Sequence, residues 1–179
     1  MTDVEPQTDA DAAAPAAGVP EVEAPAAGVA EAGTTQYATF RVMDVEDVSL
    51  DLPSQFPAVT LVESEPPMRT LVFPVGLPEG TAIAQALRRM EGRRPMTHEL
   101  FMQVIKRARI DVIAVRVVGR EEGTLLAELD LMTPGGRERV DCRPSDGIVL
   151  ALRMPVPAPI LVDERLLEDL GDVVPVQNP

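Results

Sequence analysis

The chain has 179 residues, more than one small domain needs and fewer than two usually take, with 29 acidic and 16 basic side chains and a formal charge of −13. Its one cysteine, Cys142, excludes an internal disulfide framework and a thiolate metal site. No apolar run approaches the roughly 18 residues of a membrane span, and the acidic N-terminus is unlike a signal peptide, so we expect no membrane contact and a cytoplasmic location.

In chain order, residues 1–33 come first, with seven acids, no Lys or Arg and otherwise mostly Ala, Pro, Gly and Val. Such a stretch cannot bury enough apolar surface to offset its ordering entropy. "APAAGV" at 14–19 and 24–29 is a near-repeat too short and small-sided for a solenoid unit. We expect residues 1–36 to be a disordered, acidic, Ala/Pro-rich tail and residues 37–175 to form one domain. Setting the seven tail acids aside leaves 22 acids against 16 bases, a charge of −6. The bases cluster: Arg88, Arg89, Arg93, Arg94, Lys106, Arg107 and Arg109 fall within a stretch whose acids are Glu91 and Glu99. A local positive surface can thus survive a negative total, as phosphate binding requires, although exposed helix faces solvated by arginine give the same pattern.

"ATFRVMDVEDVSL" (38–50) changes its alternation midway and predicts a strand with a bulge. "AVTLVES" (58–64) and "TLVFPV" (70–75) predict two more strands about a Pro66-Pro67 turn. Helical spacing over 78–91 follows, with Pro78 in the first turn and Gly92 at the end. A second helix is expected from about 98 to 109, capped by Thr97 and burying Leu100, Phe101, Val104, Ile105 and Ala108. "DVIAVRVVG" (111–119), "GTLLAELDLMT" (123–133) and "RERVDC" (137–142) predict strands, the last two joined at Pro134-Gly135-Gly136. "PSDGIVLALR" opens with Pro144 and is apolar nearly all round, so this third helix should be buried. A short strand (158–162) and a last helix (163–171) complete the chain. Consecutive strands broken by grouped helices favour an α+β fold, with a mixed, mainly antiparallel sheet and about four helices.

"FPVGLPEGTAIAQAL" (73–87), "RRPMTHELFMQVI" (93–105) and "VDCRPSDGIVLALR" (140–153), followed by "APILVDERLLEDLG", resemble the bifunctional nuclease family. These are small α+β proteins of bacteria and plants credited with DNase and RNase activity. The resemblance spans residues 39–172 and rests on Arg-Pro-x-Thr-His-(Asp/Glu)-Leu and Asp-Ala-Arg-Pro-Ser-Asp-Ala-Ile-Ala. Cys142 and Gly147 stand where that pattern has alanine, as does Gly80, and Leu125-Leu126 replace a frequent aromatic pair. The domain has one Tyr, four Phe and no Trp, so few rings can stack bases.

Three helix starts hold the candidate polar set: Glu79, His98, and Ser145 with Asp146 behind Arg143. A helix N-terminus attracts anions and disfavours a protonated imidazole, which leaves His98 suited to accept a proton or ligate a metal. Phosphodiester hydrolysis needs an activated water and neutralised charge, commonly through carboxylate-held Mg²⁺ or Mn²⁺. We expect His98, Asp146, Glu79 and Arg143 as the catalytic set, Asp141, Asp146 and Glu79 as metal ligands, and Arg89, Arg93, Arg94 and Ser145 on the substrate. The expected partner is DNA and RNA, contacted through the backbone, with a homodimer left open. Bland readings accompany each residue. First-turn acids suit any helix dipole, Arg143 and Asp146 at i, i+3 pair locally, and His98 precedes Phe101, Met102 and Ile105 on a core edge. The competing function is a non-enzymatic regulatory or assembly domain that binds a ligand or protein partner.

Overall fold

The structure is a computed structural model and describes residues 38–50 and 53–173. The segment 1–36, expected to be disordered, and the end of the expected domain at 174–175 lie outside these residues. The elements run β1 (Phe40–Ser49), β2 (Ala58–Glu63), β3 (Arg69–Pro74), α1 (Leu77–Leu87), α2 (Thr97–Arg107), β4 (Asp111–Glu121), β5 (Thr124–Thr133), β6 (Gly136–Cys142), α3 (Pro144–Leu152), β7 (Ile160–Asp163), α4 (Glu164–Leu170) and β8 (Asp172–Val173). The strands form one sheet in the order β6-β5-β4-β7-β1-β2-β3-β8. Only β4 and β7 pair in parallel, so the fold is α+β with a mixed, mainly antiparallel sheet. The short β8, which pairs antiparallel with β3 at the sheet edge, had no signal in the sequence.

The change of alternation in β1 is a bulge: its register with β2 shifts between Val45 and Asp47. In β2 the inward positions are Val59, Leu61 and, unexpectedly, Glu63, each fully buried. Glu63 is neutralised where it lies, accepting from Arg41 Nε at 2.8 Å and from Arg69 N, Nε and Nη2 at 2.7, 3.1 and 2.7 Å. Arg69 Nη2 also donates to Glu164 at 2.7 Å, which ties β1, β2, β3 and the start of α4 together. A buried carboxylate is tolerated only with such partners. Asp130 on β5 is buried in the same way, held by the guanidinium of Arg137 across the β5–β6 ladder.

α3 is the central helix, packed against α1, β4 and β5, and Pro144, Ser145 and every residue from Gly147 to Ala151 are buried. A Cβ at position 147 would come within 2.9 Å of Val115 Cγ1 and 3.2 Å of Cys142 Sγ. The two departures noted in the sequence are thus one packing exchange: the sulfur at 142 crowds the space an alanine methyl at 147 would use. Gly80 obeys the same logic, since a Cβ there would meet Pro57 Cβ at 2.9 Å.

The helix ends required correction. α1 stops at Leu87, and Gly92 lies beyond it. Arg89 takes the left-handed turn (φ 50°), while its N–H and that of Met90 reach back to Ala86 and Gln85 O, closing a Schellman motif. In α2 Thr97 is the first helical residue rather than the cap. Met96 takes the cap position and donates its N–H to Glu99 Oε2 at 2.9 Å. The expected buried stripe is also wrong. Leu100, Phe101 and Val104 are 54%, 47% and 52% exposed, and of that stripe Ile105 alone is buried. The reason is position: α2 packs chiefly on α3 at the margin of the domain rather than on the sheet, so only the arc through His98, Glu99, Met102 and Ile105 faces protein.

Candidate functional site

Each of the first three helices begins with a β-conformation residue that turns the chain into its first turn: Gly76 before α1, Met96 before α2, Arg143 before α3. Pro78 and Pro144 fit these starts because a first-turn N–H has no intrahelical acceptor. The fold brings the three starts together although they are 20 to 67 residues apart along the chain. His98 Nε2 lies 3.1 Å from Asp146 Oδ1. Arg143 Nε and Nη2 donate to Asp146 Oδ2 and Oδ1 at 2.7 and 3.0 Å, and Arg143 Nη1 donates to Glu79 Oε1 at 2.8 Å. His98, Arg143, Asp146 and Glu79 thus form one connected cluster.

Burial alone would push the Asp146 carboxyl up, but its bonds from Arg143 and His98 prevail and hold it below the ordinary aspartate value. It is therefore an acceptor-only carboxylate at neutral pH, and the ring nitrogen facing it must carry the proton. In neutral His98 that leaves Nδ1 as the proton acceptor. Arg143 is nearly two-thirds exposed at the mouth of the cluster. Its three bonds use three of the five guanidinium N–H groups, and two stay available to an anion.

Beside the cluster lies a cleft of about 310 Å³ lined by Glu79, Arg143 and Ser145 together with Phe73, Pro74, Thr124 and Leu125. The walls from β3 and the β4–β5 hairpin were not anticipated as functional. The one available signal was position 125, where the resembled pattern often has an aromatic and this chain supplies a leucine.

Other expected site residues fall elsewhere. Ser145 is buried and lines the cleft, outside the His98–Asp146 bond. Arg93 and Arg94 are exposed in the loop before α2, and Arg89 lines a different groove. Asp141 is exposed on β6, paired with Glu128, and joins no metal set. Among the described residues no three His, Cys, Asp or Glu side chains converge to hold a metal ion. Glu79 and Asp146 both point at Arg143, so as arranged the expected acid triad does not fit a divalent ion. Also among those residues, no helix is long and apolar enough to cross a membrane.

Two proteins of Mycobacterium tuberculosis, the uncharacterized proteins MT1877 (strain CDC 1551) and Rv1829 (strain H37Rv), are each 33% identical to this chain over 134 residues, 75% of its length and 78% of theirs. Residues 59–174, which include α1, α2 and α3 and hence all four members of the cluster, match the Bifunctional nuclease domain, and the chain belongs to that family.

Proposed function

We propose that the domain hydrolyses phosphodiester bonds of DNA and RNA at the cleft beside the His98 cluster. The carrying observation is the chain of bonds His98–Asp146–Arg143–Glu79, which places an oriented proton acceptor and an exposed guanidinium side by side. Asp146 fixes the ring so that Nδ1 takes the proton of the attacking water or hydroxyl, a role worth typically 10²–10⁴-fold. Arg143 offers its two remaining N–H groups to the non-bridging oxygens, where charge develops as the new bond to phosphorus forms and the P–O bond to the leaving strand breaks, the departing oxygen taking its proton from protonated His98 or from water. Such contacts reach the backbone and not the base edges, which suits a substrate range covering both nucleic acids. Held by Glu79 and Asp146, Mg²⁺ or Mn²⁺ would supply further charge neutralisation, but both carboxylates are engaged by Arg143 as arranged.

The test is cleavage of end-labelled single-stranded DNA and RNA by purified protein, in Mg²⁺ and in EDTA, beside His98→Ala and Asp146→Asn. Both variants should fold and lose at least a hundredfold in rate. Equal residual cleavage by wild type and His98→Ala would mean that a contaminant acts and that the cluster is structural. Equal rates in EDTA and Mg²⁺ would assign the chemistry to the side chains alone.

A second reading has one specific observation in its favour. The half-exposed Leu100, Phe101 and Val104 continue from Met96, 46% exposed, along one side of α2, and contiguous apolar surface of this kind is typical of protein interfaces. An assembly domain, including a homodimer, uses that face. Analytical ultracentrifugation of wild type and Leu100→Ser/Val104→Ser separates it from the nuclease reading, because those changes leave the His98 cluster untouched.

A further inference from the structure

A second concavity lies away from the His98 cluster, between the end of α1, the outer turn of α2 and the end of α3. Its volume is about 390 Å³, within the roughly 300–1,000 Å³ of small-molecule sites. Its apolar lining comes from Ala86, Pro95, Met102 and Leu152. Three cations from three separate elements converge on it: Arg89, Lys106 and Arg153.

These cations differ in how far they are satisfied. Arg153 is almost buried, 11% exposed, with Nη1 2.8 Å from Glu99 Oε1 and both terminal nitrogens near Met90 O. Its Nε is buried without a hydrogen-bond partner, an incomplete donor set of the kind native interiors rarely leave. Glu99 pairs ionically with Arg153 through Oε1, which accepts no hydrogen bond from the described residues, while its Oε2 accepts from the Met96 N–H. The side chains of Arg89 and Lys106 make no hydrogen bond or ion pair among the described residues, and neither does Glu91. With Glu99 and Arg153 cancelling, the groove presents two free positive charges against one negative. Arg89 also holds a left-handed backbone that glycine would adopt without strain. Two unpaired cations beside an apolar lining call for an anion attached to a flat or apolar body.

We propose that this groove binds a phosphate monoester of mononucleotide size, with Arg89 and Lys106 on the phosphate and Met102, Leu152 and Pro95 against the base. The proposal is independent of the catalytic reading of the His98 cluster. Two sources share this chemistry, a free nucleotide and the phosphorylated end of a strand.

Isothermal titration with adenosine 5′-monophosphate, adenosine and inorganic phosphate tests it on the full chain. The monophosphate should bind at least tenfold more tightly than either fragment. Arg89→Ala/Lys106→Ala, both exposed positions, should weaken it at least tenfold at an unchanged melting temperature, while Arg143→Ala binds as wild type does. Cleavage-resistant phosphorothioate oligonucleotides identify the source. Displacement of the monophosphate by a 5′-phosphorylated strand but not by its 5′-hydroxyl counterpart assigns the strand end; displacement by neither assigns the free nucleotide. The proposal is overturned by no binding at millimolar monophosphate, by full binding in Arg89→Ala/Lys106→Ala, or by loss of binding in Arg143→Ala, which places the ligand in the other cleft.

Discussion

Glu63→Gln removes one charge and almost no volume from a fully buried ionic group, which makes it a clean probe of what holds β1, β2, β3 and α4 together. The hydrogen bond from the Arg69 guanidinium is the largest influence on this carboxyl; burial opposes it, and the Arg69 backbone and Arg41 add to it, so the pKa falls from 4.5 to about 2. At about 1.36 kcal/mol per pH unit, the ionised form contributes roughly 3 kcal/mol to folding at neutral pH. The amide loses that and leaves Arg41 and Arg69 paired, among the described residues, with Glu164 alone, so the cost should reach about 3–5 kcal/mol. For a domain of this size that is a fall in Tm on the order of 10 °C or more. The sign follows from the direction: a depressed carboxyl pKa gives stability that is complete above about pH 4.5 and is lost as pH falls toward 2. Urea unfolding followed by far-ultraviolet circular dichroism at pH 7 and pH 3 reads both effects. The gap between wild type and variant should be wide at pH 7 and clearly narrower at pH 3. A gap under about 1 kcal/mol, or one of the same size at both pH values, would refute the assignment of this network as a charge-stabilised hub.

Gly147→Ala should cost about 1–3 kcal/mol despite alanine's better helix propensity, because its methyl meets Val115 and Cys142. Part of that loss should return in Cys142→Ala/Gly147→Ala, and strictly additive unfolding energies would show that the two positions are not one packing exchange. Phe101→Ser should change stability by less than about 1 kcal/mol, against the 3–5 kcal/mol that truncating a core phenylalanine costs; a core-sized loss in urea unfolding would contradict the exposed placement of α2. Burial, then the charge of Asp146, pushes the Cys142 thiol up to about 11 from 9.0, so its thiolate at pH 7.5 should be about a hundredfold scarcer than that of an ordinary cysteine. Correspondingly slow reaction with a disulfide reagent checks this, and labelling at the rate of a free thiol in the folded protein would not be compatible with it.

What the sequence revealed and what it concealed divide along a physical line. Periodicity registers local preference, so the strands, the bulge of β1, the turn at Pro134 to Gly136 and the all-round apolar α3 could be placed from spacing alone. Strand order could not be: the parallel pairing of β4 with β7 joins segments with β5, β6 and α3 between them, and nothing local specifies it. Buried acids were missed for the same reason. Glu63 and Asp130 occupy core-facing positions because arginines 6 and 22 residues away in one case, and 7 in the other, arrive to neutralise them. The same holds for α2, where the failure is most instructive. Its apolar residues cover a wide arc, and an apolar moment points at the middle of that arc whichever side is packed. Contact with α3 is made instead beside two polar residues, His98 and Glu99, whose partners Asp146 and Arg153 stand at the start and end of α3. Polar pairing at both ends of one helix thus fixes how α2 lies. It leaves Leu100, Phe101 and Val104 outward, and it commits adjacent residues of a single turn to two different clusters, His98 to the Asp146–Arg143 cluster and Glu99 to the groove beside Arg153. A substitution that loosens Glu99 from Arg153 should therefore move His98 as well, and a shift of the His98 imidazole resonances in Arg153→Gln, seen by heteronuclear NMR, would show that the two sites share this turn as their mechanical link.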